Sequence, residues 1–82
     1  MRNKRKKAVL AFLASRGRPA TAGEIAWAIR LPYPARGLYG HLGRYVRWGL
    51  VRRRRGPDGR LRFGIAARGR RRLAWLSRQR GR

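Results

Sequence analysis

The chain has 82 residues with 24 Lys and Arg against 2 Asp and Glu, a formal charge of +22, and 43% of its residues are hydrophobic. A chain of this length holds one small core and no second domain, and its apolar residues are spread widely enough to argue for a folded unit that repels itself and attracts polyanions. Two carboxylates, one histidine and no cysteine exclude a conventional metal site and a carboxylate pair for acid–base work, so neither an enzyme nor a cofactor is expected.

Asn3 is placed to cap a first helix that runs to about Arg16 and stops at Gly17. At helical period Val9, Phe12 and Leu13 share one face, with Lys4, Lys7 and Ala11 on the other. The uncharged stretch Ala8 to Ser15 falls far short of the ~20 residues a membrane span needs, so no membrane partner is expected. Arg18-Pro19 opens an extended connector, because proline disfavours helix at the residue before it.

Thr21-Ala22-Gly23-Glu24 reads as a capping box, which gives one of the two acids a structural use. The helix it opens carries Ile25, Ala26 and Ile29 on one face and ends near Leu31, before Pro32. Pro32-Tyr33-Pro34 is a stiff turn, and Pro34 suits the first turn of a third helix that runs to about Trp48 and is ended by Gly49.

On this third helix Leu38, Leu42 and Tyr45 form the core side, while Arg36, Gly40, Gly43 and Arg47 fall opposite, bordered by Tyr39 and Arg44. His41 lies at the margin of the core face and reads as a packed histidine, and Trp48 is expected to seal the core edge. Leu50 to Arg55 then reads as a strand, Gly56-Pro57-Asp58-Gly59 as a turn, and Arg60 to Ile65 as the returning strand. Leu61, Phe63 and Ile65 alternate toward one face, and pairing Val51 with Ile65 keeps both on the core side. From Ala66 to about Gln79 a last helix places Gly69, Leu73 and Leu76 on its apolar side. Trp27 and Trp75 fall away from the apolar faces of their helices, which makes them candidates for a protein interface or for base stacking.

This order of elements resembles the winged helix-turn-helix family over about residues 4–78. The resemblance rests on Thr21-Ala22-Gly23-Glu24-Ile25-Ala26 entering the second helix and on Leu38 to Leu42, with His41-Leu42, in the third. It continues with Gly49-Leu50-Val51-Arg52-Arg53 leading into the hairpin and Gly69-Arg70 in the last helix. Ala66 departs from it, since related regulators often have Thr before the last helix. The resemblance implies an α+β, mostly α fold: a three-helix core, a two-stranded β-hairpin wing and a C-terminal helix. Chain length and the basic termini themselves point to a single domain over 1–82 with flexible ends at about 1–4 and 79–82. In such folds the third helix enters the DNA major groove and the wing tip meets backbone or minor groove.

The residues fit that use on their own chemistry. Arg36, Arg44 and Arg47 are planar donor forks suited to phosphates or guanine edges. Gly40 and Gly43 leave nothing protruding and allow close backbone approach, at a helix cost of about 0.5–1 kcal/mol each. In the wing, Arg52, Arg53, Arg54 and Arg55 run opposite Arg60 and Arg62, a repulsion that a polyanion would relieve. At the ends, Arg2, Lys4, Arg5, Lys6 and Lys7, with Arg78, Arg80 and Arg82, extend the footprint and are expected to fray without a ligand. Each phosphate neutralised on duplex DNA adds about −0.9 to the salt slope.

The leading expectation is therefore a double-stranded DNA-binding protein, largely sequence-independent through phosphate contacts, acting as an intracellular chromatin or nucleoid-associated architectural protein. The alternative is a sequence-specific transcription regulator of the same fold, which reads two half-sites as a homodimer, with Trp75 available for the interface. A third reading is a ribosomal or other structural RNA-binding protein. Against RNA stands the deep, narrow major groove of its A-form helix, which does not admit a protein helix.

Overall fold

The computed structural model describes residues 3–31 and 36–78, with the side chains of Asn3 and Arg36 left out. Helices α1 (Asn3–Arg16), α2 (Ala22–Ala28) and α3 (Arg36–Arg47) precede a hairpin of β2 (Val51–Arg55) and β3 (Leu61–Ile65), and α4 (Ala67–Arg78) closes the fold. A two-residue strand β1 (Ala20–Thr21) lies between α1 and α2. This is the winged helix-turn-helix order that the sequence resembles.

The sheet departs from expectation. It has three strands in the order β1-β3-β2, not two. The connector after Pro19 pairs antiparallel with β3, Ala20 opposite Phe63 and Thr21 opposite Arg62. The hairpin register agrees with the sequence: Val51 sits opposite Ile65 and both contribute to the core side.

Each turn of the chain has a local cause. Gly17, at φ +73, ends α1, and its N–H donates to the Leu13 carbonyl at 3.1 Å. Gly49, at φ +77, ends α3 in a Schellman motif: its N–H donates to Val46 and the Leu50 N–H to Tyr45. That motif swings the chain from α3 into the wing and seats Leu50 in the core, 2% exposed. α2 is shorter than the sequence suggests. Arg30 takes the left-handed conformation at φ +58, and a second Schellman pair (Arg30 N–H to Trp27, Leu31 N–H to Ala26) stops the helix before Leu31. The Pro32-Tyr33-Pro34 turn lies outside the described residues.

The core joins Val9, Leu10 and Leu13 of α1, Ala22 and Ile25 of α2, Leu38, Leu42 and Tyr45 of α3, Phe63 of β3 and Leu76 of α4. Leu10, fully buried, is absent from the predicted face of α1, which packs against both α4 and β3 and so buries a wider arc than one partner would require. The predicted flexible end also contracts: Asn3 and Lys4 already belong to α1, while 1–2 and 79–82 lie outside the described residues.

Gly69 sets how closely α4 can approach. A Cβ there would land on the Leu50 carbonyl oxygen and crowd the Ile65 side chain. The same oxygen accepts the Ala66 N–H at 3.0 Å, so the start of α4 is fastened to the start of β2. Gly69→Ala is therefore expected to lower the unfolding free energy by about 1–3 kcal/mol in a denaturant titration. Gly37→Ala, whose added methyl meets no atom within 4 Å, is the control and should cost nothing. Equal stability of the two variants would mean that α4 is not seated on Leu50.

Candidate nucleic-acid interface

The exposed side of α3 is built as its periodicity requires. Leu38, Leu42 and Tyr45 are 1%, 0% and 3% exposed, which turns Gly40, Arg44 and Arg47 to solvent and leaves Gly43 half-buried. Tyr39 is 62% exposed beside them. A Cβ added at Gly40 or Gly43 would meet no atom within 4 Å. These two glycines therefore leave open surface where the fold has room for side chains. Arg36 begins α3, but its side chain lies outside the described residues. His41 is half-buried, with its ring 6.2 Å from that of Tyr45. Burial, then the charges of Arg5 and Arg44, lower its pKa and keep the imidazole neutral at physiological pH.

The wing is more self-satisfied than its sequence suggests. Only Arg54 and Arg62 face each other as like charges; Arg52, Arg53 and Arg55 lie opposite Gly64, Phe63 and Leu61. Arg62 is held by Asp58 through two hydrogen bonds, of 2.7 and 3.0 Å. Asp58 also accepts the Arg60 N–H at 3.1 Å, and the Gly59 N–H closes the turn on the Gly56 carbonyl at 3.0 Å. Arg55 donates to the Gly59 carbonyl at 2.7 Å. Of the six wing cations expected to meet DNA, Arg55 and Arg62 also brace the wing tip. Arg52, Arg53, Arg54 and Arg60 are exposed, and their guanidinium groups make no hydrogen bond to another described residue.

Asp58 is more than a turn residue. The Arg62 guanidinium, aided by the Arg60 N–H, holds its carboxyl well below the usual carboxylate range. The other acid is equally committed. The Thr21 N–H donates to Glu24 at 2.9 Å and the Glu24 N–H donates to the Thr21 hydroxyl at 3.2 Å, the capping box the sequence announces. Arg16 adds an ion pair to Glu24 at 3.3 Å.

The structure describes the basic residues from Lys4 to Lys7 as helical. Lys4, Arg5, Lys6 and Lys7 all lie in α1; Arg2 is outside the described residues. Lys6 sits 5.0 Å over the Trp48 ring. Burial, and then the charge of Arg72, lower its pKa. Trp48 remains 43% exposed, so it borders the core and does not seal it. Trp75 is 44% exposed under Arg72, and Trp27 is 87% exposed on α2.

Trp48 and Trp75 wall an open groove of about 990 Å³ between α1, the end of α3 and α4. Lys6, Arg47, Arg71, Arg72 and Arg78 line it, so Arg47 faces this groove as well as the α3 stripe. Arg68, at one end, donates to the Trp48 carbonyl at 3.2 Å. Sequence reasoning missed Arg68, Arg71 and Arg72 because it followed only the apolar side of α4. Their signal was a second stripe, Arg68, Arg71, Arg72 and Trp75, at i, i+3, i+4 and i+7. Among the described residues no cluster of His, Cys, Asp or Glu could hold a metal ion, and no helix is long and apolar enough to cross a membrane.

The fold is similar to the solved structure of a mutant MepR from a multidrug-resistant S. aureus clinical isolate, with a TM-score of 0.77 and 18% sequence identity. The match covers 90% of this chain and 54% of that one, so the chain spans about half the length of MepR. Neither the protein-family models nor the curated proteins hold a match to the sequence.

The Asp58–Arg62 pair fixes a pH response. A carboxyl whose pKa is lower folded than unfolded stabilises the fold above its unfolded pKa of about 3.9, and that contribution is lost as pH falls further. Asp58→Asn should therefore melt below the wild type near pH 7, with the gap closing below about pH 4. A gap independent of pH would mean that charge on Asp58 is not what braces the wing.

Proposed function

We propose that the protein binds double-stranded DNA through α3 and the wing, as a sequence-reading regulator. The observation that carries this reading is the glycine-floored, arginine-edged outer face of α3 on a winged-helix fold. A helix enters the major groove when nothing on its leading face holds it off. Gly40 and Gly43 supply that clearance, while Arg44 and Arg47 are long enough to reach guanine edges or phosphates from the flanks. Arg52, Arg53, Arg54 and Arg60 then meet the backbone and fix the register of α3 on the duplex.

The likeness to MepR, a MarR-family winged-helix regulator, supports the sequence-specific alternative over the sequence-independent architectural reading. Charge alone does not separate the two, because phosphate contacts raise affinity for every duplex equally. Base readout separates them, and it falls to Tyr39, Arg44 and Arg47, with Arg36 at the start of the helix. Structured RNA has no comparable support, since its major groove excludes α3.

The test of function is selection from a random duplex library. A regulator enriches a defined half-site, binds it ~10³-fold or more above random duplex, and occupies a paired site with two chains. Uniform affinity across unrelated duplexes would return the protein to the architectural reading.

The glycine face gives a second and sharper expectation. Gly40→Ala with Gly43→Ala should raise stability, by about 0.5–1 kcal/mol per site from helix propensity. The same double variant should weaken duplex binding, because two methyl groups now stand at the closest approach. Thermal melting and duplex titration on one preparation read both. Stability and affinity rising together would remove α3 from the interface.

A further inference from the structure

We infer that the groove between α1 and α4 is a second nucleic-acid site, for an unpaired strand whose bases stack on Trp75 and Trp48 while its phosphates meet Lys6, Arg71, Arg72 and Arg78. The groove is cationic with no counter-charge of its own. Among the described residues Glu24 is committed to Thr21 and Arg16, and Asp58 to Arg62 and Arg60. Arg72 lies close enough to Lys6 for its charge, after burial, to disfavour the charged form of that lysine. An anion is the missing partner.

The aromatic walls narrow what that anion is. Both tryptophans keep close to half of their surface exposed, and each has a cation over its ring, at 5.0 Å for Lys6 on Trp48 and 5.8 Å for Arg72 on Trp75. A basic groove interleaved with exposed rings is the physical recipe for single-strand binding, in which cations track the backbone and bases stack without sequence preference. A duplex does not fill it, because paired bases keep their faces inside the helix. A second copy of this chain does not fill it either, since self-association would press two such cation clusters together. The site is separate from the glycine face of α3, apart from Arg47, which borders both.

The test uses the full chain carrying Trp27→Phe, so that fluorescence reports the groove tryptophans alone. Titration with an oligothymidylate of about twelve nucleotides should quench that fluorescence at saturation. Trp75→Leu keeps apolar bulk and removes the stacking surface. It should weaken strand binding roughly 5- to 150-fold, the size of one lost stack, and Trp75→Phe should recover most of that loss. Arg72→Gln should weaken it too and reduce its salt dependence. Duplex affinity should be unchanged by Trp75→Leu and reduced by Arg44→Ala, so failure of the duplex reading and failure of this one appear in different variants. An oligouridylate run in parallel identifies whether DNA or RNA is the preferred strand. The inference is overturned if Trp75→Leu binds the strand as tightly as the parent, or if inorganic polyphosphate or oligoglutamate competes as well as the strand does. It is also overturned if free thymidine monophosphate binds as tightly as the strand, which would make the groove a mononucleotide pocket.

Discussion

Two carboxylates stand among twenty-four cations, and both are spent on local structure. Glu24 closes the capping box that starts α2 and is held there by Arg16. Asp58 ties the wing's turn to its returning strand through Arg62. Neither is available to neutralise the surface. The rest of the molecule follows from that allocation: a small apolar core holds together a shell of positive charge that cannot be balanced from within. Self-repulsion of this size destabilises a compact chain, and a bound polyanion reverses it. Under the proposed function, folding and DNA binding are coupled through the same charges.

Glycine does two opposite things in this fold. At Gly69 it is required by contact, because the α4 backbone rests directly on the Leu50 carbonyl. At Gly40 and Gly43 no contact requires it, and alanine would make a better helix. The first kind belongs to the architecture that joins the wing to the last helix. The second kind carries a helix cost with no return inside the folded chain, and under the proposed function the open surface serves close approach of the duplex. Around them Arg55 and Arg62 stiffen the wing tip while their neighbours stay exposed, and those neighbours are the ones the proposed function assigns to phosphate.

What the sequence made legible was the part governed by short-range periodicity. The buried side of α3, the capping box and the pairing of Val51 with Ile65 are all set by residues a few positions apart or by a two-residue alternation, and all stand in the structure. What it hid needs contacts between distant segments. Ala20-Thr21 is too short to show alternation, and it becomes a strand only because β3 offers an edge. Arg30 carries no sequence mark of its left-handed turn. Arg62 looks like one more wing cation until the turn folds Asp58 onto it. The α4 stripe had the right spacing, but its meaning depends on α1 bringing Lys6 across to Trp48.

The central claim is that duplex DNA is met by the glycine face of α3 together with the exposed wing cations. Amide chemical-shift mapping of labelled protein during titration with a short duplex tests it most directly, because the amides of Gly40 and Gly43 report from the closest point of approach. The account predicts the largest changes at Gly40, Gly43 and Arg44 and at Gly59 and Arg60 of the wing tip, with Trp75 and Arg72 little affected. Changes confined to α1 and α4, with the amides of Gly40 and Gly43 unmoved, would contradict it.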